Sequence, residues 1–123
     1  MPFSGVSLSL ADILDAIVAI EQFTEGMNLD SFRQDTKTIA AVERKLQVIS
    51  EAAARLGEQA EALCPGLPWR DIRGIGNWLR HQYDRVDIET IWNTLAMDLP
   101  PLKDAVSHAL HSTNRERLES DPQ

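Results

Sequence analysis

The feature that most constrains this chain is an apolar series, Ile39, Val42, Leu46, Ile49, Ala53, Leu56, Ala60 and Leu63, whose members are alternately three and four residues apart. Such spacing lays one seam along a helix of roughly six turns or more, at about 3.6 residues per turn. A seam of this length has to be buried. A coiled coil with a second chain would do it, but other apolar helical segments flank it in the sequence, which favours a bundle formed within one chain. The helix is expected to begin near Asp35, and Gly57 marks a point where it can bend or pack closely.

The flanking segments follow the same logic. Leu10, Ile13, Leu14, Ile17, Ile20 and Phe23 recur at helical spacing, with Ser7 or Ser9 as the expected cap, and "EGMNLD" closes that helix. A short helical turn over "LDSFRQD" should tuck Phe32 inward. "CPGLPW" reads as a turn, after which Pro68 and Trp69 suit the first turn of a helix running to about Gln82. Gly74 and Gly76 weaken that helix by about 1 kcal/mol each relative to alanine, so something else must hold it or approach it closely. Asp87 can cap a helix that buries Ile88, Ile91, Trp92 and Leu95, and "DLPPL" predicts a break or kink before a last short helix at Leu102, Val106, Ala109 and Leu110. The expectation is an all-α, up-and-down bundle of four to five helices in one domain, residues 1–113, followed by a polar, frayed tail at 114–123.

Composition narrows the function. A chain of 123 residues, 43% hydrophobic and 25% charged, suits one globular domain. The single cysteine, Cys64, excludes a disulfide framework and a cysteine-based zinc site within the chain, and a cytoplasmic setting is the simplest expectation. The N-terminal apolar stretch lacks a basic flank and is interrupted by Asp12 and Asp15, so neither a signal peptide nor a membrane span is expected. His108 and His111 could share a helix face, but no carboxylate or cysteine completes a metal set, and they read as surface histidines with no metal or cofactor. "GIG" lacks the third glycine and the preceding strand of a phosphate-binding loop.

The formal charge is −7, which argues against a protein that coats nucleic acid with its whole surface. Yet residues 70–85 hold four arginines (Arg70, Arg73, Arg80 and Arg85) against two aspartates, while the rest of the chain carries eight basic and 17 acidic residues. Within that segment Arg73, Asn77, Arg80, His81 and Asp84 are three or four apart and share one broad helical stripe. Arginine offers a fixed fork of donors, asparagine an amide, and histidine a proton exchangeable near neutral pH. These are the parts needed to cut RNA without metal: a base for the 2′-hydroxyl and cationic donors for the charge growing on the phosphate. Against this stands the plainer reading of a packed or capped histidine. Glu51, among the small residues of "ISEAAARL", can turn inward to an arginine of this helix or remain exposed. Trp69, Trp78 and Trp92 are assigned to core or interface, with Trp78 the most exposed.

Three blocks, "VERKLQVISEAAARL", "PWRDIRGIGNWLRHQYDRVD" and "IWNTLAMDLPPL", carry a resemblance. In that order, from about Leu8 to Leu110, the chain resembles the HepT-type toxins of the HEPN superfamily, all-helical ribonucleases of prokaryotic type VII-like toxin–antitoxin systems. The resemblance implies a homodimer in which the RNase motifs of two chains face a shared cleft, RNA as substrate, and a minimal nucleotidyltransferase antitoxin as partner. That antitoxin transfers AMP onto the motif tyrosine and blocks the toxin. The family motif reads arginine, four residues, histidine, any residue, tyrosine. Here His81 and Tyr83 fill the last two places, making His81 the implied general base or acid and Tyr83 the implied AMPylation site, and Asn77 matches the polar residue after the arginine. The arginine's own place is taken by Gly76. Arg73 or Arg80, each about one turn away, can reach the vacated space, with Glu51 and Asp84 in support. Two readings stay open: a retained ribonuclease, and a catalytically degraded HEPN dimer that serves as a nucleotidyltransferase-binding module.

Overall fold

The computed structural model describes residues 5–81 and 87–120, with the side chains of residues 80, 81 and 114–120 outside that description. All of the described elements are helical. The first, α1 (Gly5–Phe23), buries Leu10, Ile13, Ile17 and Ile20. It starts earlier than expected, so Ser7 and Ser9 lie inside the helix and are buried instead of capping it. Ser9 Oγ accepts a hydrogen bond from Arg55 Nε at 3.3 Å, and the same guanidinium pairs with Asp12 at 2.6 Å.

A capping box between Asn28 and Ser31 opens α2 (Leu29–Gln34). Phe32 is fully buried there, its ring tilted against that of Trp92 with centroids 5.0 Å apart. Asp35 caps α3 (Thr36–Leu56) by accepting the Thr38 N–H at 3.0 Å, and that bond holds its carboxyl below the usual range. Val42, Leu46, Ile49, Ala53 and Leu56 form the buried seam as the spacing predicts. The seam is not one straight rod. At Gly57 the backbone takes φ 56° and ψ −138°, a conformation that side-chain-bearing residues rarely adopt, and the chain turns into α4 (Glu58–Leu63). Ala60 stays in the core, whereas Leu63, expected in the seam, is 38% exposed.

The next helix, α5 (Trp69–His81), starts with a fully buried Trp69 whose indole N–H donates to the Cys64 carbonyl at 2.9 Å. Asp87 caps α6 (Ile88–Asn93), accepting from the Glu89 N–H at 3.1 Å and the Thr90 hydroxyl at 2.7 Å. The break predicted at "DLPPL" takes the form of a π-helical turn (Thr94–Asp98) leading directly into α7 (Leu99–Ser120). There the Leu99 N–H reaches back five residues to the Thr94 carbonyl. The widened turn accommodates Pro100 and Pro101, which have no N–H to give, without interrupting the helical path. The helix continues to Ser120, so the expected domain limit at residue 113 falls inside α7.

α1 packs against both α3 and α7, and α3 against α5, so the core lies between these helices. With α4 following α3 beyond the bend and α7 continuing α6 through the π-turn, the described elements form an all-α HEPN-like bundle in one domain. Among the described residues no helix is long and apolar enough to cross a membrane.

Candidate functional site

α5 is amphipathic, and its two sides do different work. Trp69, Ile72, Gly76 and Leu79 are buried, with Ile72 and Leu79 in the core cluster. On the opposite side Arg70, Gly74 and Asn77 are exposed, separated by four and three residues, and the helical register carries this face to position 81 at the end of α5. The backbone thus sets His81 in line with Asn77. The side chains of Arg80 and His81, and the whole of Tyr83 and Asp84, lie outside the described residues.

How a helix with two glycines is held becomes clear at Ser50. This residue of α3 is only 5% exposed, and its hydroxyl donates to the Arg73 carbonyl at 2.7 Å while accepting the Gly76 N–H at 3.1 Å. Gly76 has no side chain to keep the two helices apart, so a hydroxyl of α3 reaches the main chain of α5. Position 76, where the motif arginine would stand, is therefore on the buried, α3-facing side of the helix.

Arg73 faces α4. Its Nη2 donates to the Gly57 carbonyl at 2.7 Å and also binds the Glu61 carboxylate, while Nη1 reaches the other Glu61 oxygen at 3.3 Å. This bond from Arg73 is the main reason that the Glu61 carboxyl sits below its ordinary value. The guanidinium clamps the bend at Gly57 to α5, which is a different task from the phosphate binding expected of it. Glu51 also departs from its inward option: it is exposed and lies 3.9 Å from Arg44, and the inward place is taken by its neighbour Ser50. Trp78 is half-buried against the core rather than prominent, and His108 and His111 are exposed on α7.

Two residues now stand out that spacing around His81 did not single out. Arg70 shares the exposed face with Asn77, and it makes no ion pair or hydrogen bond among the described residues. The series 70, 74, 77, 81, stepping by four, three and four, was the available signal. Ser50 had only the small-residue run after Ile49 to mark a close approach.

A model for the family described as "Ribonuclease HepT-like" matches residues 13–109, a span that includes all of α5. This chain belongs to the HepT-like ribonuclease family. A Thermococcus cleftensis protein named "Probable ribonuclease HepT" is 38% identical over 76% of this chain and 86% of its own length. Two candidate RNases of Methanocaldococcus jannaschii are 36% identical over 81% of this chain and 83% of their counterpart, and 32% identical over 84% and 85%, respectively. No solved structure matches significantly. Against the HepT-like motif, the departure at Gly76 is not a free vacancy on the surface of the site, since Ser50 occupies the neighbouring space.

Proposed function

We propose that this HepT-like chain is an endoribonuclease toxin that cuts RNA without a metal ion. The observation that carries the proposal is the exposed face of α5, where Arg70, Gly74 and Asn77 lead in register to His81 in a chain otherwise rich in acids. In this reading His81 takes the proton of a ribose 2′-hydroxyl. The 2′-oxygen attacks the adjacent phosphorus, and the 5′-oxygen leaves and gains a proton, giving a 2′,3′-cyclic phosphate and a 5′-hydroxyl. Asn77 and Arg80 hold the phosphate as its charge grows, a role in which one preorganised donor is commonly worth about 3–4 kcal/mol. Arg73 acts from behind, fixing α5 through Glu61 and Gly57. The active form is a homodimer whose two α5 helices face one cleft, with Glu51 outside it.

Control rests on Tyr83. AMP transferred there by a cognate nucleotidyltransferase antitoxin would add bulk and negative charge to a cleft meant for RNA phosphate. Intact mass after incubation with the partner and ATP should show an AMP adduct that the Tyr83→Phe variant does not form.

A second reading is favoured by a specific observation. Gly76 lies beneath Ser50 and Arg73 is held by Glu61, which withdraws two expected cations from the cleft. The dimer would then serve as a nucleotidyltransferase-binding module without cleavage. Incubating a mixed RNA pool in EDTA with wild type and with His81→Ala separates the two. Cutting by wild type alone supports the ribonuclease. No cutting by either, with the dimer intact and Tyr83 unmodified by mass, supports the binding module.

A further inference from the structure

Beside the exposed face of α5 runs a groove of about 520 Å³, closed on its far side by the π-turn and the start of α7. Its walls are largely apolar, formed by Ile72, Ile75, Trp78, Leu99 and Leu102. Three charged side chains line it, Arg70, Asp71 and Asp98, and none has an ion pair or hydrogen bond among the described residues. Thr90 and Thr94 also border the groove, but their hydroxyl protons already go to Asp87 and to the Thr90 carbonyl, so they present acceptors. Gly74 sits on the wall with nothing within 4 Å of where a Cβ would be.

We infer that this groove is a nucleotide subsite of the RNA-cutting site, taking one guanine nucleotide of the strand with its base against Trp78 and its phosphate on Arg70. The inference rests on the ribonuclease reading above and names where part of the substrate lies. A nucleotide presents one anion, one flat aromatic ring and a set of base-edge donors. Among the described residues, the groove offers one guanidinium without a partner, one half-buried indole and several acceptors with none. Guanine has two adjacent donors, N1–H and N2–H₂, that match a carboxylate in bidentate fashion, whereas uracil has a single N–H. Stacking of a base on an aromatic side chain is a common anchor for single strands. The groove is also continuous with the proposed cutting site: Gly74 and position 81 lie on one face, about 10 Å apart along the helix. The missing side chain at 74 leaves room for the sugar to cross α5 between them.

The test uses 5′-GMP and 5′-UMP titrated into the whole protein while the three tryptophan indole N–H resonances are followed by NMR. Trp69, buried in the core, and Trp92, packed against Phe32, do not line the groove and are internal controls. Saturable movement of the Trp78 signal by GMP is expected, with UMP weaker. Gly74→Leu should fill the groove and Arg70→Gln should remove the phosphate partner, each weakening GMP by about tenfold or more, the scale of one good bidentate contact. Leucine at 74 meets no neighbour through its Cβ and is the better helix former, so its Tm should hold or rise and lost binding cannot be ascribed to unfolding. The inference is overturned if GMP does not saturate, if Gly74→Leu binds it as well as wild type, or if Gly74→Leu instead changes the oligomeric state, which would put a second copy in the groove. RNA cleavage without GMP saturation would sink the subsite and leave the ribonuclease standing. GMP saturation without cleavage would support nucleotide binding in the groove and overturn the ribonuclease reading, and with it the assignment of the groove to an RNA-cutting site.

Discussion

Ser50 sets one hydroxyl between two peptide groups of another helix, and few side chains could replace it. Ser50→Ala should destabilise the fold by about 1 kcal/mol, the usual net value of a buried hydrogen bond, and Ser50→Val by more because a branched side chain pushes α5 outward. Urea denaturation of the two variants checks both the sign and the order. Glu61 makes a pH-dependent prediction. Its carboxyl is lowered in the folded state by the Arg73 hydrogen bond, so the stability it adds is complete above the ordinary carboxylate range and is lost as pH falls through the lowered value. Glu61→Gln should flatten that part of the stability profile measured from neutral to acidic pH. The alignment of His81 with Asn77 was legible from spacing alone, because helical register is a local property. The Ser50 bridge and the Arg73 clamp were not, because each joins residues from separate helices and the second depends on where α4 points after the bend.

That bend shows how far single elements could be read. A glycine in the middle of an apolar seam announces a possible bend, but the unbroken periodicity read as one long helix where the chain forms two. What periodicity lacks is the direction of the turn, which is set here by a positive φ at Gly57. Gly57→Ala should cost about 1–3 kcal/mol, since an L residue would be strained at that geometry, and calorimetry of the variant measures it. The π-turn is harder to foresee. Asn93, Thr94 and Leu99 all have right-handed helical angles around it, so no residue type marks the extra residue, and the prolines announced a break or kink without showing that it would be a π-turn. Met97 is 72% exposed within that turn. Excising it should restore α-helical spacing around Pro100 and Pro101 and destabilise the fold by about 3 kcal/mol or more through lost hydrogen bonds and ring clashes, although little core is removed. The tail was read from polarity alone, and α7 carries its helix well past residue 113.

The whole molecule is acidic, and several of its basic residues are paired with acids: Arg55 with Asp12, Arg73 with Glu61, Lys103 with Glu21. In the ribonuclease proposed above, an RNA strand would be repelled by the acidic surface and admitted along the exposed face of α5. Binding of an RNA oligonucleotide to the His81→Ala protein should weaken steeply with salt. In Arg70→Gln the slope of log affinity against log salt should shrink by about 0.7, the value for one phosphate contact on a single strand. The fold that carries this face was legible as a class, since five amphipathic segments with short connections leave little alternative to a bundle. The apposition of α1 with both α3 and α7 emerges only once the elements are assembled. Seen as history, the Ser50–Gly76 contact couples two sites across the helix interface. An arginine placed at 76 by a single substitution would meet Ser50, so position 50 would have to change before the motif arginine could be accommodated, and a hydrogen bond of 3.1 Å makes the two positions interdependent.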